Sequence, residues 1–247
     1  MKKLHVKCLA YNTFDMIHRA IAQFESQKPN YPIASRTLVD NRYPIVDHEL
    51  DHSKRLMEIA NFYGWNYVKP SANKGAHGGW NWTIKELGLK DGDVLHGCDP
   101  DGNPLQPKYL DAIMDIFNNA PECFTVQLNR PCVNAMGIPR AERIIGNTTI
   151  LDYHQPIAWS LGAFDCGWLN RIGGMQARKT LYGYCELDTI EAMKPYGGKW
   201  YITRDFFDEH ITAPDKEYVA WKLATAQGKT DGQFSDWLKA NGLTSSS

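Results

Sequence analysis

No two cysteines in the chain stand as a Cys-x-x-Cys pair. The six present, Cys8, Cys98, Cys123, Cys132, Cys166 and Cys185, lie far apart, which argues against a zinc ribbon or a small disulfide scaffold and points to buried reduced thiols. Excess charge of one sign is missing as well: 27 Lys and Arg face 28 Asp and Glu, a net charge of −1 with no block of like charges. Nothing therefore advertises a phosphate-backbone binder or a membrane-surface helix. No stretch approaches the roughly eighteen apolar residues of a membrane span. The opening MKKLHVKCLA is interrupted by His5 and Lys7, unlike a secretory signal, so a soluble, cytoplasmic protein is expected. Internal repeats and low-complexity linkers are absent too. With 247 residues, 43% of them hydrophobic, one domain with a short appendage is expected.

What is present is a rhythm. Leu4 to Ala10 alternates as a strand, and Thr13 or Asp15 can cap a helix that puts Ile17, Ala20, Ile21 and Phe24 on one face. The unit repeats: strand from Ala34 to Val39, helix from Asp47 to Tyr63, strand from Trp65 to Val68, helix from Gly79 to Leu87, strand from Asp93 to Cys98, helix from Pro107 to Phe117. Alternation of this kind builds a parallel sheet with helices on both faces. After Pro121 the rhythm changes. Strands are expected at Cys123 to Leu128, Ile157 to Phe164 and Lys199 to Thr203, with irregular or strand-like chain from Ile144 to Asp152. Helices are expected around Asp165 to Ile172, Pro214 to Gln227 and Gln233 to Ala240.

Ligands of a parallel sheet bind at the carboxyl ends of its strands. Four consecutive strand ends here carry hydrogen-bonding side chains: Tyr11-Asn12, Asp40-Asn41, Asn73-Lys74-Gly75 and Asp99-Pro100-Asp101. No G-x-x-x-x-G-K-[ST] loop is present and no G-x-G-x-x-G follows the first strand, which weakens P-loop and dinucleotide readings. The stretch GDVLHGCDPDGNP, residues 92–104, holds two aspartates one residue apart. As an EF-hand loop starting at Asp99 it would need glycine at its sixth position and glutamate at its twelfth; it has Pro104 and Leu110. A plain turn is compatible with its Asp, Gly, Asn and Pro content. Two carboxylates at a buried strand end repel each other unless a cation sits between them. Magnesium or manganese takes such oxygen ligands and commonly bridges to a diphosphate.

Taken in order, LHVKCLAYN, ASRTLVDN, NKGAHGGWN, GDVLHGCDPDGNP, SLGAFDCGWLNRIGGM and YGYCELD resemble the nucleotide-sugar glycosyltransferases of the GT-A fold, most closely the inverting glycosyltransferase family 2. The likeness spans Leu4 to His210. It implies an α/β fold with a mixed, mainly parallel sheet flanked by helices. Residues 1–212 would form the transferase domain, 1–120 its nucleotide-binding half and 121–212 its acceptor half, with 213–247 a C-terminal helical extension. It further implies that Tyr11, Asn12 and Asp40 hold base and ribose, that Asn73 and Lys74 lie along the nucleotide, and that Asp99 and Asp101 form the DxD clamp. Asp99 would touch both nucleotide sugar and metal, and His210 would be a third metal ligand. Gly173 and Gly174 match the family's acceptor-side IGG turn. Glu186-Leu187-Asp188 matches the acidic motif that supplies the base, with Leu187 between carboxylates that the family usually has adjacent; Glu186 is taken ahead of Asp188.

The function implied is a metal-dependent, inverting glycosyltransferase with Mn2+ or Mg2+, a nucleoside-diphosphate sugar donor (a UDP-sugar favoured) and an acceptor hydroxyl. Saccharide, lipid-linked sugar, protein side chain and modified nucleobase all remain open as acceptors. Of Trp80, Trp82, Trp159 and Trp168, most are expected in the core, with Trp168 on the acceptor side. Lys74 and Arg171 could offset phosphate charge, and residues 134–147, with Arg140 and Arg143, read as a flexible loop over the donor. Two alternatives stand beside this reading. A sugar-1-phosphate nucleotidyltransferase would share the layered sheet, but resembles proteins with a glycine-rich loop where this chain has AYNTFDM. A non-catalytic carbohydrate-binding or scaffold protein could keep the same fold.

Overall fold

A computed structural model describes residues 1–10, 14–41, 49–72, 74–130, 139–152, 161–176, 185–211, 216–227, 229, 240 and 241, with backbone alone at 49, 50, 185–187, 217, 218, 222 and 226. The expected rhythm is there. Strand β1 (Lys3–Ala10) leads to helix α1 (Phe14–Ser26), β2 (Ile33–Asp40) to α2 (Glu49–Tyr63), β3 (Asn66–Val68) to α3 (Gly75–Glu86), and β4 (Asp93–Gly97) to α4 (Tyr109–Asn119). A three-residue strand, β5 (Gly102–Pro104), lies between β4 and α4, where a plain exit turn was expected. Then come β6 (Cys123–Asn129), β7 (Ala141–Ile145), β8 (Thr148–Asp152), β9 (Gly162–Asp165), α5 (Cys166–Arg171), α6 (Cys185–Met193), β10 (Lys199–His210) and α7 (Lys216–Ala226). The helix expected at Gln233 to Ala240 and the beginning of the strand from Ile157 lie outside the described residues.

Nine strands form one sheet in the order β3-β2-β1-β4-β9-β6-β10-β8-β7, and β5 pairs with β10 beside it. β1, β2, β3, β4, β6, β7 and β10 point one way; β5, β8 and β9 run opposite. The sheet is therefore mixed but mainly unidirectional. Antiparallel β9 is inserted between β4 and β6, carrying the chain from the carboxyl edge of the sheet back to its amino edge.

Strand alternation divides the core between the two faces. Leu4, Val6, Cys8 and Ala10 face a cluster with Ile17, Ile21 and Phe24 of α1, Leu56 of α2, and Leu110, Ile113 and Phe117 of α4. Leu95, Phe124 and Phe164 face the other way, onto Trp80 and Ile84 of α3, Leu169 of α5, and Ile190 and Met193 of α6. Four of the six thiols, Cys8, Cys98, Cys123 and Cys166, are buried and free, and burial pushes those of Cys123 and Cys166 well up.

Three boundaries moved for local reasons. Helix α4 starts at Tyr109 because Lys108 is left-handed at φ 63° and cannot lie inside a helix. Helix α3 begins a turn before Gly79, where Lys74 caps it. The segment from 141 onward is ordered as the β7–β8 hairpin. Its turn is pinned by Asp115 of α4, whose carboxylate accepts from Asn147 N (2.6 Å) and Thr148 Oγ1 (3.1 Å). Arg140 and Arg143 both reach Asp152 (2.6 and 3.2 Å), so the described part of the expected loop is an ion-paired hairpin. Residues 131–138 lie outside the described set.

Candidate active site

β1, β2, β3 and β4 all end at one edge of the sheet, and of the residues expected there Asp40, Lys74, Asp99 and Asp101 are described. Tyr11, Asn12 and Asn73 lie outside the described residues. Asp40 is 1% exposed, and its Oδ2 accepts from Ser53 Oγ (2.8 Å) and Tyr67 OH (2.7 Å). Its neighbour Asn41 is a clip: its Oδ1 accepts from Lys74 N (2.9 Å) and its Nδ2 donates to Gly75 O (3.0 Å). The end of β2 is thereby tied to the start of α3, and the Lys74 N–H, one of the donors that a helix N-terminus leaves unpaired, is satisfied.

The aspartate pair sits in a turn closed by Gly102 N donating to Asp99 O (3.0 Å). Arg19 of α1 holds that turn from one side, donating to Pro100 O (2.8 Å). β10 holds it from the other. Between Ile202 and Phe207, β10 advances five residues while β6 advances two, a bulge that bends the strand and frees its end from β6. That end pairs with β5 in the register Asp208↔Pro104, Glu209↔Asn103, His210↔Gly102, and Ile211 N continues the ladder to Asp101 O (2.7 Å). A side chain at Gly102 would start 2.7 Å from Leu161 Cγ, so only glycine lets the two segments close this way.

The outcome is a contact across 109 positions of sequence: His210 Nε2 lies 3.1 Å from Asp101 Oδ2. Asp101 is 15% exposed at its side chain and His210 41%. The two expected aspartates meet different partners. Asp101 turns to His210, whereas Asp99 Oδ1 lies 3.9 Å from Nζ of Lys7, whose side chain is fully buried. Among the described residues no three His, Cys, Asp or Glu side chains gather closely enough to hold a metal ion by themselves. A carboxylate with an imidazole still has the donor chemistry for a hard or borderline divalent cation whose remaining positions go to diphosphate oxygens and water.

Beneath this pair lies a buried ion pair. Arg130, at the end of β6, donates from Nε and Nη2 to the two oxygens of Asp208 (3.2 and 2.8 Å). Burial pushes the Asp208 carboxyl up to about 7, with the negative charge of Asp101 adding to it and Arg130 and His210 pulling against it.

Gly174, at φ 102°, packs on α3: a Cβ there would lie 2.6 Å from Asn81 Oδ1. Asn81 in turn holds the backbone of Met175 from both sides, accepting from its N–H (2.7 Å) and donating to its carbonyl (3.0 Å). Gln176 N then donates to Thr189 Oγ1 of α6 (3.0 Å), which links the turn at Gly173 and Gly174 to the helix bearing the acidic motif. The last turn of α6 packs by Phe124, near the start of β6, with Met193 Cγ and Phe124 Cδ1 both at Gly198. Asp188 is half-buried; the Glu186 side chain lies outside those described.

Trp168 does not join the site. Its Nε1 donates to Pro121 O (3.1 Å), just before β6 begins, and Arg171 lies over its ring at 4.5 Å. α5 begins where β9 reaches the amino edge, so Trp168 and Arg171 brace the end of the sheet opposite Asp101 and cannot line the same cleft. Trp80 is core, as expected.

Sequence reasoning missed Lys7, Arg130 and Asp208. A lysine inside an alternating apolar strand was the available signal for Lys7. Asp208, two residues before His210, offered only its spacing.

No protein-family model matches the sequence, and no curated protein matches it. The mannosyltransferase PcManGT from Pyrobaculum calidifontis, solved with GDP-Man and Mn2+, matches at a TM-score of 0.61 and 17% identity, over 97% of this chain and 69% of that one. GalNAc-T7, solved with UDP, GalNAc and Mn2+, matches at a TM-score of 0.66 and 10% identity, over 87% of this chain. This is the GT-A glycosyltransferase fold. The chain spans 44% of the length of GalNAc-T7. At such identities the likeness establishes the GT-A architecture, and the chemistry is argued from the residues.

Proposed function

We propose that the chain is a divalent-metal-dependent glycosyltransferase that moves a sugar from a nucleoside-diphosphate sugar, a UDP-sugar in the first instance, to an acceptor hydroxyl with inversion. The observation that carries this reading is the Asp101–His210 contact of 3.1 Å, assembled by the β5–β10 pairing at the carboxyl edge of a GT-A sheet. The structural neighbours support the donor class: one was solved with GDP-Man and Mn2+, the other with UDP, GalNAc and Mn2+.

Asp101 and His210 would hold Mn2+ or Mg2+. Bound there, the ion would neutralise charge on the departing diphosphate. Asp40, fixed by Ser53 and Tyr67, is suited to hydrogen-bond the ribose or base, and Lys74 at the start of α3 to lie along the nucleotide. A carboxylate on the first turn of α6, Glu186 or Asp188, takes the proton of the acceptor hydroxyl. The acceptor oxygen then bonds to the anomeric carbon as the bond to the diphosphate breaks. Attack on the face opposite the leaving group inverts the carbon. Residues 1–212 are assigned to this unit and 213–247 to an extension.

The test is incubation with Mn2+ and a panel of UDP- and GDP-sugars, reading released nucleoside diphosphate and, once an acceptor is found, the anomeric configuration by NMR. Release that is lost in Asp101→Ala supports the reading. Neither binding nor turnover of any donor would remove it.

A further inference from the structure

Lys7 stands in the middle of β1, a strand otherwise built for the core, with its side chain fully buried on the α3 face of the sheet. An ammonium costs free energy to bury, so its surroundings should show why it is tolerated. Two features do. Nζ lies 3.8 Å from the centroid of the Trp80 ring, a close cation–π arrangement. It also lies 3.9 Å from Asp99 Oδ1. Trp80 itself is pressed against the end of β4: a Cβ at Gly97 would fall 2.6 Å from Trp80 Cζ2 and 3.5 Å from Asp99 Oδ1. Ring, ammonium and carboxylate therefore gather on one side of the strand end, and the missing side chain at Gly97 makes the room for the ring.

We propose that Lys7 is a positioning residue that draws Asp99 away from Asp101, so that the two aspartates do separate work: Asp99 faces the nucleotide, while Asp101 with His210 forms the metal-holding arm. This rests on the transferase reading for the identity of the ligands, but not for the Lys7–Asp99 geometry. Drawing Asp99 aside has an electrostatic consequence. The clamp then presents one carboxylate, not two, next to His210, with the charge of Asp99 offset by a fixed cation shielded from water.

The deciding variant is Lys7→Met, which keeps an unbranched chain against Trp80 and removes the charge. Removing the buried ammonium relieves its desolvation cost, and Asp99, 25% exposed at its side chain, can turn to water once its partner is gone, so the variant is expected to fold with a melting temperature near that of wild type. Crystal structures of wild type and variant are read first. The Asp99 carboxylate leaving the Gly97 side supports the proposal; its staying in place overturns it. Binding of UDP and GDP by calorimetry with Mn2+ is read second, alongside Mn2+ binding alone by electron paramagnetic resonance. The expected result is nucleotide affinity lowered about tenfold, the scale of one charge-assisted contact, with Mn2+ affinity not lowered, since a freed Asp99 adds a carboxylate to the clamp. The double variant Lys7→Met/Asp99→Asn should be no weaker than either single variant, because Lys7 acts through Asp99. A lowered melting temperature with unchanged nucleotide affinity would mark Lys7 as structural only and overturn the proposal. If wild type binds neither nucleotide, the transferase reading fails, and the Asp99 orientation in the two structures still decides the role of Lys7.

Discussion

His96 makes acid stability a quantitative test of how the strand beneath the site is packed. It lies in β4, fully buried, with its ring stacked on Phe24 at 6.2 Å and its Nε2 3.0 Å from Tyr109 OH. Burial, with the charge of Lys7 adding to it, lowers its pKa to about 3. In the unfolded chain the same imidazole titrates near 6.5. Below that value the unfolded state binds a proton that the folded state refuses, so stability present above pH 6.5 is lost as pH falls toward the folded value. Each pH unit in that window costs about 1.4 kcal/mol. From about pH 7.5 to about pH 4.5 the loss from His96 alone is about 2–3 kcal/mol, or some 5–10 °C in melting temperature for a chain of this size. The assay is urea unfolding of wild type and His96→Gln across that range. The variant starts less stable, but other titrating groups are common to both chains, so the difference in slope isolates His96. Parallel slopes would refute the reasoning and mean that the imidazole gains its proton within the fold.

Two further substitutions separate structural from functional parts. Arg130→Met leaves the buried Asp208 without its guanidinium, its carboxyl then takes up a proton, and stability measured by urea unfolding should fall by about 1–3 kcal/mol, the cost of leaving a buried polar group without its partner; an unchanged midpoint would contradict the burial argument. Trp168→Phe removes the hydrogen bond to Pro121 O and shrinks the ring under Arg171 at the far edge of the sheet, so it should cost about 1–2 kcal/mol of stability and leave Mn2+ and nucleotide binding unchanged. Weakened binding in that variant would contradict its placement.

What the sequence made legible is what periodicity can carry. Apolar residues at helical spacing gave α1 its buried face, alternation located β1 and the apolar run before Asp40 located β2, each strand within a residue at either end. The parts that position the site were silent for a physical reason. β5 is Gly-Asn-Pro, too short and too turn-like to show a period, and its partner in β10 lies a hundred residues on. Reading Gly102 and Pro104 as an exit turn was right about the backbone bend but missed the pairing that brings His210 to Asp101. The five-residue strand expected at Lys199 to Thr203 stopped at the β10 bulge, where the alternation breaks, though the strand continues to His210. Trp168 failed differently: an aromatic residue in a motif carries no mark of which sheet edge it will face. That was set by β9 running antiparallel, a pairing with no local signal. Lys7 was visible only as an interruption in an apolar run, and its meaning depended on Trp80 arriving from α3.

The claim on which the account turns is that Asp101 and His210 together hold a divalent cation that the donor diphosphate completes. Titration of Mn2+ by electron paramagnetic resonance, with and without UDP or GDP, measures it directly in wild type, Asp101→Asn and His210→Ala. The account predicts that nucleoside diphosphate tightens Mn2+ binding in wild type and that each substitution weakens it by about tenfold or more. Equal Mn2+ affinity in all three proteins would contradict it.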